Sequence, residues 1–163
     1  FFNLKQDNAM TPSLVNGAPA WTPVSVQKAN GIEVQARASV FKHLTFDVSY
    51  TYLDKTDGDD EVRTVMTPKH MASGWVSYNF ADLGLSGLTL GAGVRYIGSH
   101  YVNEQVPDVT LWDAAVSYVF DKHWRIQGTI TNIADKEYVQ AADYGTAYYG
   151  EGRVARATLT YAW

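Results

Sequence analysis

The chain ends with Gly152-Arg-Val-Ala-Arg-Ala-Thr-Leu-Thr-Tyr-Ala-Trp163, in which apolar and polar side chains alternate without a break. A period of two is typical of a β-strand with one apolar and one polar face. In a soluble protein, an apolar strand that ends on Tyr161 and Trp163 would be an edge prone to aggregation. In a barrel that spans an outer membrane, the same strand faces lipid and places its aromatic side chains at the membrane–water interface. The pattern therefore favours a membrane barrel.

Further segments upstream show the same alternation. We predict eight strands, at residues 1–7, 30–41, 43–54, 70–80, 88–101, 110–120, 123–134 and 153–163. No helical period separates them, so the sequence predicts an all-β, antiparallel meander. No segment interrupts the alternation, and residues 1–163 are therefore interpreted as one domain or as part of one.

The connections between these strands alternate in length. Two are very short, Phe41-Lys42-His43 and Asp121-Lys122-His123, and the connection at 81–87 is modest. Longer, more polar connections are predicted at 8–29, 55–69, 102–109 and 135–152. In an outer-membrane barrel, short turns face the periplasm and long loops face the exterior. The C-terminus is therefore expected at the periplasmic end.

The positions of charged and aromatic residues also favour a membrane barrel. A soluble sheet would carry Lys freely on its solvent face, but five lysines here lie in turns or at strand ends: Lys42, Lys55, Lys69, Lys122 and Lys136. The cations within strands are arginines on the polar faces: Arg37, Arg95, Arg125 and Arg156. This arrangement indicates an internal polar network, while aromatic residues near strand ends indicate two girdles. A soluble β-sandwich or lipid-binding barrel is the alternative for the fold.

Composition excludes several classes of protein. The 163 residues carry a formal charge of −4 and no Cys. No stretch approaches the ~20 apolar residues of a membrane helix, mild acidity argues against nucleic acid as a partner, and a thiolate metal site is impossible. The opening Phe1-Phe2-Asn3-Leu4 is typical of the middle of a strand, which predicts that the chain is a piece of a longer protein.

Specific motifs also resemble those of a known family. Asn132-Ile-Ala-Asp-Lys-Glu-Tyr138, followed by Tyr148-Tyr-Gly-Glu-Gly-Arg153, resembles the C-terminal region of TonB-dependent siderophore receptors. Upstream segments agree in order and spacing: Asn30-Gly-Ile-Glu33, Pro68-Lys-His70, Trp75-x-x-Tyr78 and Leu90-Gly-Ala-Gly-Val-Arg-Tyr96. The resemblance covers essentially the whole chain. It implies an antiparallel transmembrane β-barrel of about 22 strands with an N-terminal plug, of which this chain supplies about the last eight strands.

The resemblance also implies a function. A receptor of this family binds a ferric siderophore outside the cell and imports it with energy transmitted through TonB. The expected location is the outer membrane of a Gram-negative bacterium, with outer-membrane lipids and lipopolysaccharide as further partners. The plug and the region that meets TonB would lie outside this chain. A ferrichrome-type hydroxamate chelate is the preferred substrate, and cobalamin, haem or a sugar, which related receptors carry, are the alternatives. No cofactor is expected, since iron is cargo. The alternative is a self-contained eight-stranded barrel with an anchoring or adhesive role.

Catalytic and metal-binding motifs are not recognisable. The four histidines are dispersed and lack metal-ligand spacing: His43, His70, His100 and His123. The acidic segment 54–61 lacks the register of a calcium-binding loop, and no nucleophile stands near a base. The sequence predicts neither an enzyme nor a metal site.

Aromatic residues in the predicted long loops are the candidate ligand-binding residues. A fully coordinated iron chelate is recognised by shape, stacking and hydrogen bonds. The family resemblance places an aromatic residue of the last loop near the ligand, and Tyr144 is the first candidate. Tyr148 and Tyr149 are further candidates, although they could instead belong to the outer girdle and pack on lipopolysaccharide. Trp21, in the predicted first loop, is the fourth.

Polar and small residues within the strands have structural interpretations. Asn132, Asp135 and Arg153 are expected to tie the last hairpin together or to meet the polar network. A second set is predicted to form ion pairs with the plug: Asp47, Arg95, Asp113, Arg125 and Arg156. Gly91 and Gly93 are expected either to leave room for the plug or to let the strand bend.

Overall fold

A computed structural model describes residues 1–57, 62–63, 67–102, 104–143 and 146–163. Its strands are β1 (Phe2–Val15), β2 (Ala18–Val40), β3 (Leu44–Asp57), β4 (Val62–Arg63), β5 (His70–Asn79), β6 (Leu88–Ile97), β7 (His100–Val102), β8 (Glu104–Val106), β9 (Val109–Val119), β10 (Trp124–Thr131), β11 (Val139–Asp143), β12 (Thr146–Tyr149) and β13 (Val154–Tyr161). The main sheet follows the chain in the order β1-β2-β3-β5-β6-β9-β10-β13, with β4 beside β3. All its described pairings are antiparallel. The eight-stranded meander is confirmed.

The register of the sheet assembles the alternating apolar residues into one band. Val48 stands opposite Gly74, Gly74 opposite Val94, and Val94 opposite Trp112. Such rows run from β2 to β13, and the band is exposed: Trp112, for example, is 54% accessible. An apolar face of this extent suits lipid rather than water.

Aromatic side chains border the band at both edges. At the edge with the short turns, ring centroids lie 6.3 Å apart between Phe120 and Trp124 and 4.8 Å apart between Trp124 and Tyr161. At the edge with the long loops, the Tyr50 hydroxyl lies 2.8 Å from His70 Nδ1. About nine residues separate the edges, as a tilted membrane strand requires. The predicted girdles are therefore present. None of the described residues forms a helix of the length and apolarity needed to cross a membrane.

Side-chain hydrogen bonds to main-chain N–H groups hold two of the shorter connections. Asp121 Oδ1 accepts hydrogen bonds from the main-chain N–H groups of His123 (2.6 Å) and Trp124 (2.9 Å). These bonds favour the carboxylate and lower the pKa of Asp121 below its ordinary value of 3.8. The connection after β5 is a 3₁₀ turn, Phe80–Leu83, and Asn79 Oδ1 accepts a hydrogen bond from the Ala81 main-chain N–H at 3.1 Å.

The predicted loop at 8–29 is wrong. β1 and β2 pair in a single register as far as Val15 and Ala18, and only the two-residue turn Asn16-Gly17 joins them. Both turn residues have positive φ, 53° and 80°, which is the conformation that Asn-Gly adopts in a tight hairpin. Trp21 consequently lies on a strand.

The position of β1 also differs from the prediction. It pairs with residues 18–31 of β2, beyond the apolar band, which begins at Ile32. The ribbon thus projects from the edge that carries the long connections. The predicted connections at 102–109 and 135–152 also contain structure, since β7 pairs with β8 and β11 with β12.

The two glycines of β6 have a different explanation from those predicted. The Trp75 indole lies against both, so that a Cβ at Gly91 or Gly93 would come within 2.5 or 2.3 Å of the ring. Their lack of a side chain makes room for this tryptophan on the polar face.

Candidate functional site

The last long connection begins at Asn132, whose buried side chain organises the stem of the loop. The residue is 1% exposed and has a φ of 50°. Its Nδ2 donates to the carbonyl oxygens of Lys136 (2.9 Å) and Glu151 (3.2 Å), and its Oδ1 accepts from the Lys136 N–H (3.0 Å). One side chain thus joins both ends of the loop.

A second contact closes the same stem. Asp135 Oδ1 accepts from the Arg153 main-chain N–H at 2.7 Å, and the carboxylate forms an ion pair with the Arg153 guanidinium at 3.8 Å. Arg153 Nη1 also donates to the Ile133 carbonyl oxygen at 3.4 Å. Asn132, Asp135 and Arg153 tie the last hairpin together, as expected.

The stem is anchored to the polar face of the wall through Asp113. Arg95 Nε and Nη2 donate to its two carboxylate oxygens at 2.7 and 3.1 Å. The Asn132 main-chain N–H donates to Asp113 Oδ1 at 2.9 Å. The Asp113 side chain is only 12% exposed, so this fully engaged carboxylate connects β6, β9 and the loop stem.

The predicted ion pairs with a plug are corrected for four residues, Asp47, Arg95, Asp113 and Arg156, because their partners lie within this chain. Arg95 pairs with Asp113, Arg37 with Asp47 at 3.5 Å, and Arg156 with Glu151 at 3.3 Å. In the first two pairs, the antiparallel register brings residues of adjacent strands close together, whereas Arg156 and Glu151 are only five residues apart in the sequence. For Arg125, no ion pair is found within the described part of the chain.

A polar cavity of about 400 Å³ lies beside this anchor. Its lining residues come from the wall and from the loop stem: Arg95, Asp113, Thr131, Asn132, Tyr138, Gln140, Glu151 and Arg156. The Tyr138 ring lies against Gly150, where a Cβ would meet it at 2.0 Å. The cavity offers hydrogen-bond donors and acceptors, including both cationic and anionic side chains, and these groups suit the polar rim of a ligand.

The candidate aromatic residues are distributed unequally around this cavity. Tyr148 and Tyr149, on β12, are 55% and 70% exposed, and Tyr149 lines a neighbouring cavity of about 380 Å³. Tyr144 lies outside the described residues. Trp21 is 66% exposed but lies on β2, five strand spacings from β10, or about 24 Å of sheet at ~4.8 Å per strand. The structure therefore does not bring Trp21 to the last loop.

The sequence did not indicate four lining residues of the polar cavity: Thr131, Tyr138, Gln140 and Glu151. Tyr138 and Glu151 appear in the sequence only as parts of motifs. The available signal was the tight glycine at position 150, beside which a large side chain is often packed.

Metal ligands do not cluster in the described regions, where no group of three or more His, Asp or Glu side chains could hold a metal ion. His70 contacts Tyr50, and buried His100 lies with Nδ1 3.3 Å from the Gly98 carbonyl oxygen. Part of the acidic segment, residues 58–61, lies outside the described chain.

Comparison with known proteins gives a consistent result. The family model described as "TonB dependent receptor-like, beta-barrel" matches residues 1–133. The ferrioxamine receptor of Yersinia enterocolitica is 34% identical over 161 residues, covering 88% of this chain and 22% of that protein. The ferrichrome outer membrane transporter/phage receptor of Escherichia coli K12 is 36% identical over 148 residues, covering 82% of this chain and 20% of that protein.

A solved structure shares the fold. The ferripyoverdine receptor of Pseudomonas aeruginosa superimposes with a TM-score of 0.81 at 20% identity, over 98% of this chain and 24% of that one. The chain spans about a fifth of the length of the curated relatives it matches.

Proposed function

Because this chain belongs to the TonB-dependent receptor β-barrel family, we propose that it forms barrel wall and extracellular loops of a receptor that binds and imports a ferric siderophore. Proteins of this family lie in the outer membrane of Gram-negative bacteria, which is the location predicted from the sequence. The short turns then face the periplasm. The hairpins β1–β2, β7–β8 and β11–β12 project to the exterior.

The observation that carries the proposal is the identity of 34% and 36% with receptors named for ferrioxamine and ferrichrome. These names favour a hydroxamate chelate of the ferrichrome type as substrate. Iron would arrive fully coordinated, so the chain needs no resident metal or cofactor. We propose transport without catalysis, driven through TonB by a segment outside this chain. Lipopolysaccharide and other outer-membrane lipids would contact the exposed apolar band.

The ligand would meet the last loop first. Tyr148 and Tyr149 are exposed on β12, and Tyr144 belongs to the same loop. Aromatic rings can pack on the carbon skeleton of a chelate, while the polar cavity beneath supplies hydrogen bonds to its rim. Trp21, on the distant ribbon, would act only on a ligand that also reaches that side.

Chelate affinity in the complete receptor tests this proposal. Removing both rings in the double variant Tyr148→Ala/Tyr149→Ala should weaken binding of ferrichrome by about tenfold, since each aromatic contact contributes ~0.5–1.5 kcal/mol. Tyr101→Ala is a matched control, because Tyr101 is 46% exposed on a different hairpin. Unchanged affinity in the double variant, or an equal loss in the control, would contradict the assignment of the last loop.

The alternative of a self-contained eight-stranded barrel is less favoured. β1 and β13 occupy opposite ends of the sheet, and no ladder joins them among the described residues. The intact mass of the native polypeptide from outer membranes distinguishes the two. A mass near 18.1 kDa, that of this chain, would support the small barrel, and a several-fold larger mass would support the receptor.

A further inference from the structure

The lipid-facing band is not uniformly flat, because it contains an apolar groove of about 730 Å³. The groove crosses β5, β6, β9, β10 and β13. Its floor is low where small side chains meet: Ala92 stands opposite Ala114, and Gly128 opposite Val116. Larger side chains rise around this floor: Val76, Leu90, Val116 and Ile130.

The position of the groove indicates what fills it. It lies between the two aromatic girdles and reaches Tyr78, at the girdle beside the short turns. This depth corresponds to the hydrocarbon layer of the periplasmic leaflet. An occupant must therefore be apolar and must enter from the membrane, as an acyl chain does.

A cationic group stands where the head of such a lipid would lie. The turn 121–123 joins β9 and β10, two of the strands that form the groove, and carries the exposed residue Lys122. Six residues separate Lys122 from Gly128, or roughly 20 Å of strand at ~3.3 Å per residue. With a strand tilt of about 45°, the difference in height is roughly 14 Å, close to half of a hydrocarbon core about 30 Å thick.

The carboxylate beside this lysine is already engaged. Asp121 Oδ1 accepts from two main-chain N–H groups of its own turn. Its charge is thereby partly compensated, and the Lys122 ammonium remains available to an anionic group.

We propose that this face binds one phospholipid of the periplasmic leaflet, with its acyl chains in the groove and its phosphate at Lys122. The inference rests on the membrane orientation of the barrel and not on the identity of the transported chelate. Lipopolysaccharide occupies the opposite leaflet.

The test is phospholipid retention by the complete receptor, measured by native mass spectrometry with dipalmitoyl phosphatidylglycerol as the probe. Ala114→Phe fills the groove with an apolar side chain and should weaken binding at least tenfold. Ala36→Phe is the matched control, because Ala36 faces lipid on β2, opposite Val48 and outside the groove. It should bind as the wild type does.

The head-group contact has its own pair of variants. Lys122→Gln should weaken binding about fivefold, as expected for a contact worth ~1 kcal/mol per lysine. Lys42→Gln, in the other very short turn, should leave binding unchanged. A neutral side chain in the turn leaves the strands intact. The comparison of Lys122→Gln with Lys42→Gln therefore tests the proposal even if Ala114→Phe fails to fold.

Three outcomes would overturn the proposal: equal loss in groove and control variants, full retention in a folded Ala114→Phe or in Lys122→Gln, or retention of lipopolysaccharide in place of phospholipid. Chelate affinity should not change in any of these variants. A loss of ferrichrome binding with lipid retention intact would instead count against the proposed function, so the two failures are distinguishable.

Discussion

Replacing Asn132 by Ala should release the stem of the last loop without unfolding the barrel. The wild-type side chain makes three hydrogen bonds, two to main-chain atoms of Lys136 and one to the Glu151 carbonyl oxygen. The residue also has a φ of 50°, a conformation that Asn tolerates better than Ala. Both effects are local to the stem, since the strands of the wall keep their own ladders.

The magnitude follows from these contacts. Three hydrogen bonds at a net ~1 kcal/mol each contribute about 3 kcal/mol, and left-handed backbone adds ~1 kcal/mol for Ala. Local opening of the stem should therefore become easier by about 4 kcal/mol. At ~1.4 kcal/mol per factor of ten, the population of the open stem rises about 700-fold.

Amide hydrogen exchange in the complete receptor measures this local opening. The reporters are the Lys136 amide, which donates to the lost side chain, and the Gly150 amide, which donates to the Tyr138 carbonyl oxygen at 2.9 Å. Asn79→Ala is the matched control, since Asn79 also bonds to a turn through its side chain but at the opposite edge. The reasoning is refuted if exchange at both reporters rises less than about tenfold in Asn132→Ala, or rises equally in the control.

Three further changes should have distinct effects. Gly93→Ala should displace the Trp75 indole, at a cost of about 2 kcal/mol, and should lower the thermal midpoint. Gly74→Ala should leave the midpoint unchanged, because the nearest atom to its added Cβ would be 3.7 Å away. Equal midpoints in the two variants would contradict this. Gly17→Ala should destabilise the turn by about 1 kcal/mol, because φ is 80° at this position. Amide exchange at the tip of the β1–β2 hairpin should then become faster. Unchanged exchange would exclude strain at the turn. Asp121 has a lowered pKa, so its carboxylate stabilises the fold above about pH 3.8, and this contribution is lost as the pH falls through the folded pKa. Asp121→Asn should lack that part of the acid dependence when thermal midpoints are compared between about pH 2 and 5, and an identical profile would disprove the contribution.

The sequence predicts the membrane-facing strands well because lipid imposes a simple rule on them. Each strand must present apolar side chains at every second position, and the register then aligns these positions across the sheet. The predicted strand at 110–120 is found at Val109–Val119, and the very short turns lie where they were expected. The two girdles follow from the same rule.

The rule does not apply outside the membrane, which is why the first ribbon was missed. Pro12, Pro19 and Pro23 interrupt the alternation and argue against a central strand. In a ribbon of two strands, however, each strand has an edge on which a missing N–H is tolerated. The Asn16-Gly17 dipeptide was the remaining signal for this hairpin. Asn-Gly favours a tight turn even where apolar and polar residues do not alternate on either side of it.

The candidate site was predictable only in part, for a similar reason. The residues of the stem could be named from their motif, but the partners of Arg95 and Arg156 depend on register and on the path of the loop. A single sequence fixes neither. The position of the ligand also depends on surfaces beyond this chain, so the assignment of Tyr148 and Tyr149 stays a prediction.

The ion pairs within the wall bear directly on the transport proposal. Arg95 and Asp113 are paired between adjacent strands, as are Arg37 and Asp47. Wall charges that depended on a plug for their partners would be left unpaired when the plug moved, and they would resist its movement. Charges paired with each other impose no such barrier. In the proposed receptor, such a wall would hold its shape while the plug rearranged, and recognition of the chelate would fall to the exposed aromatic residues and the polar cavity at the rim.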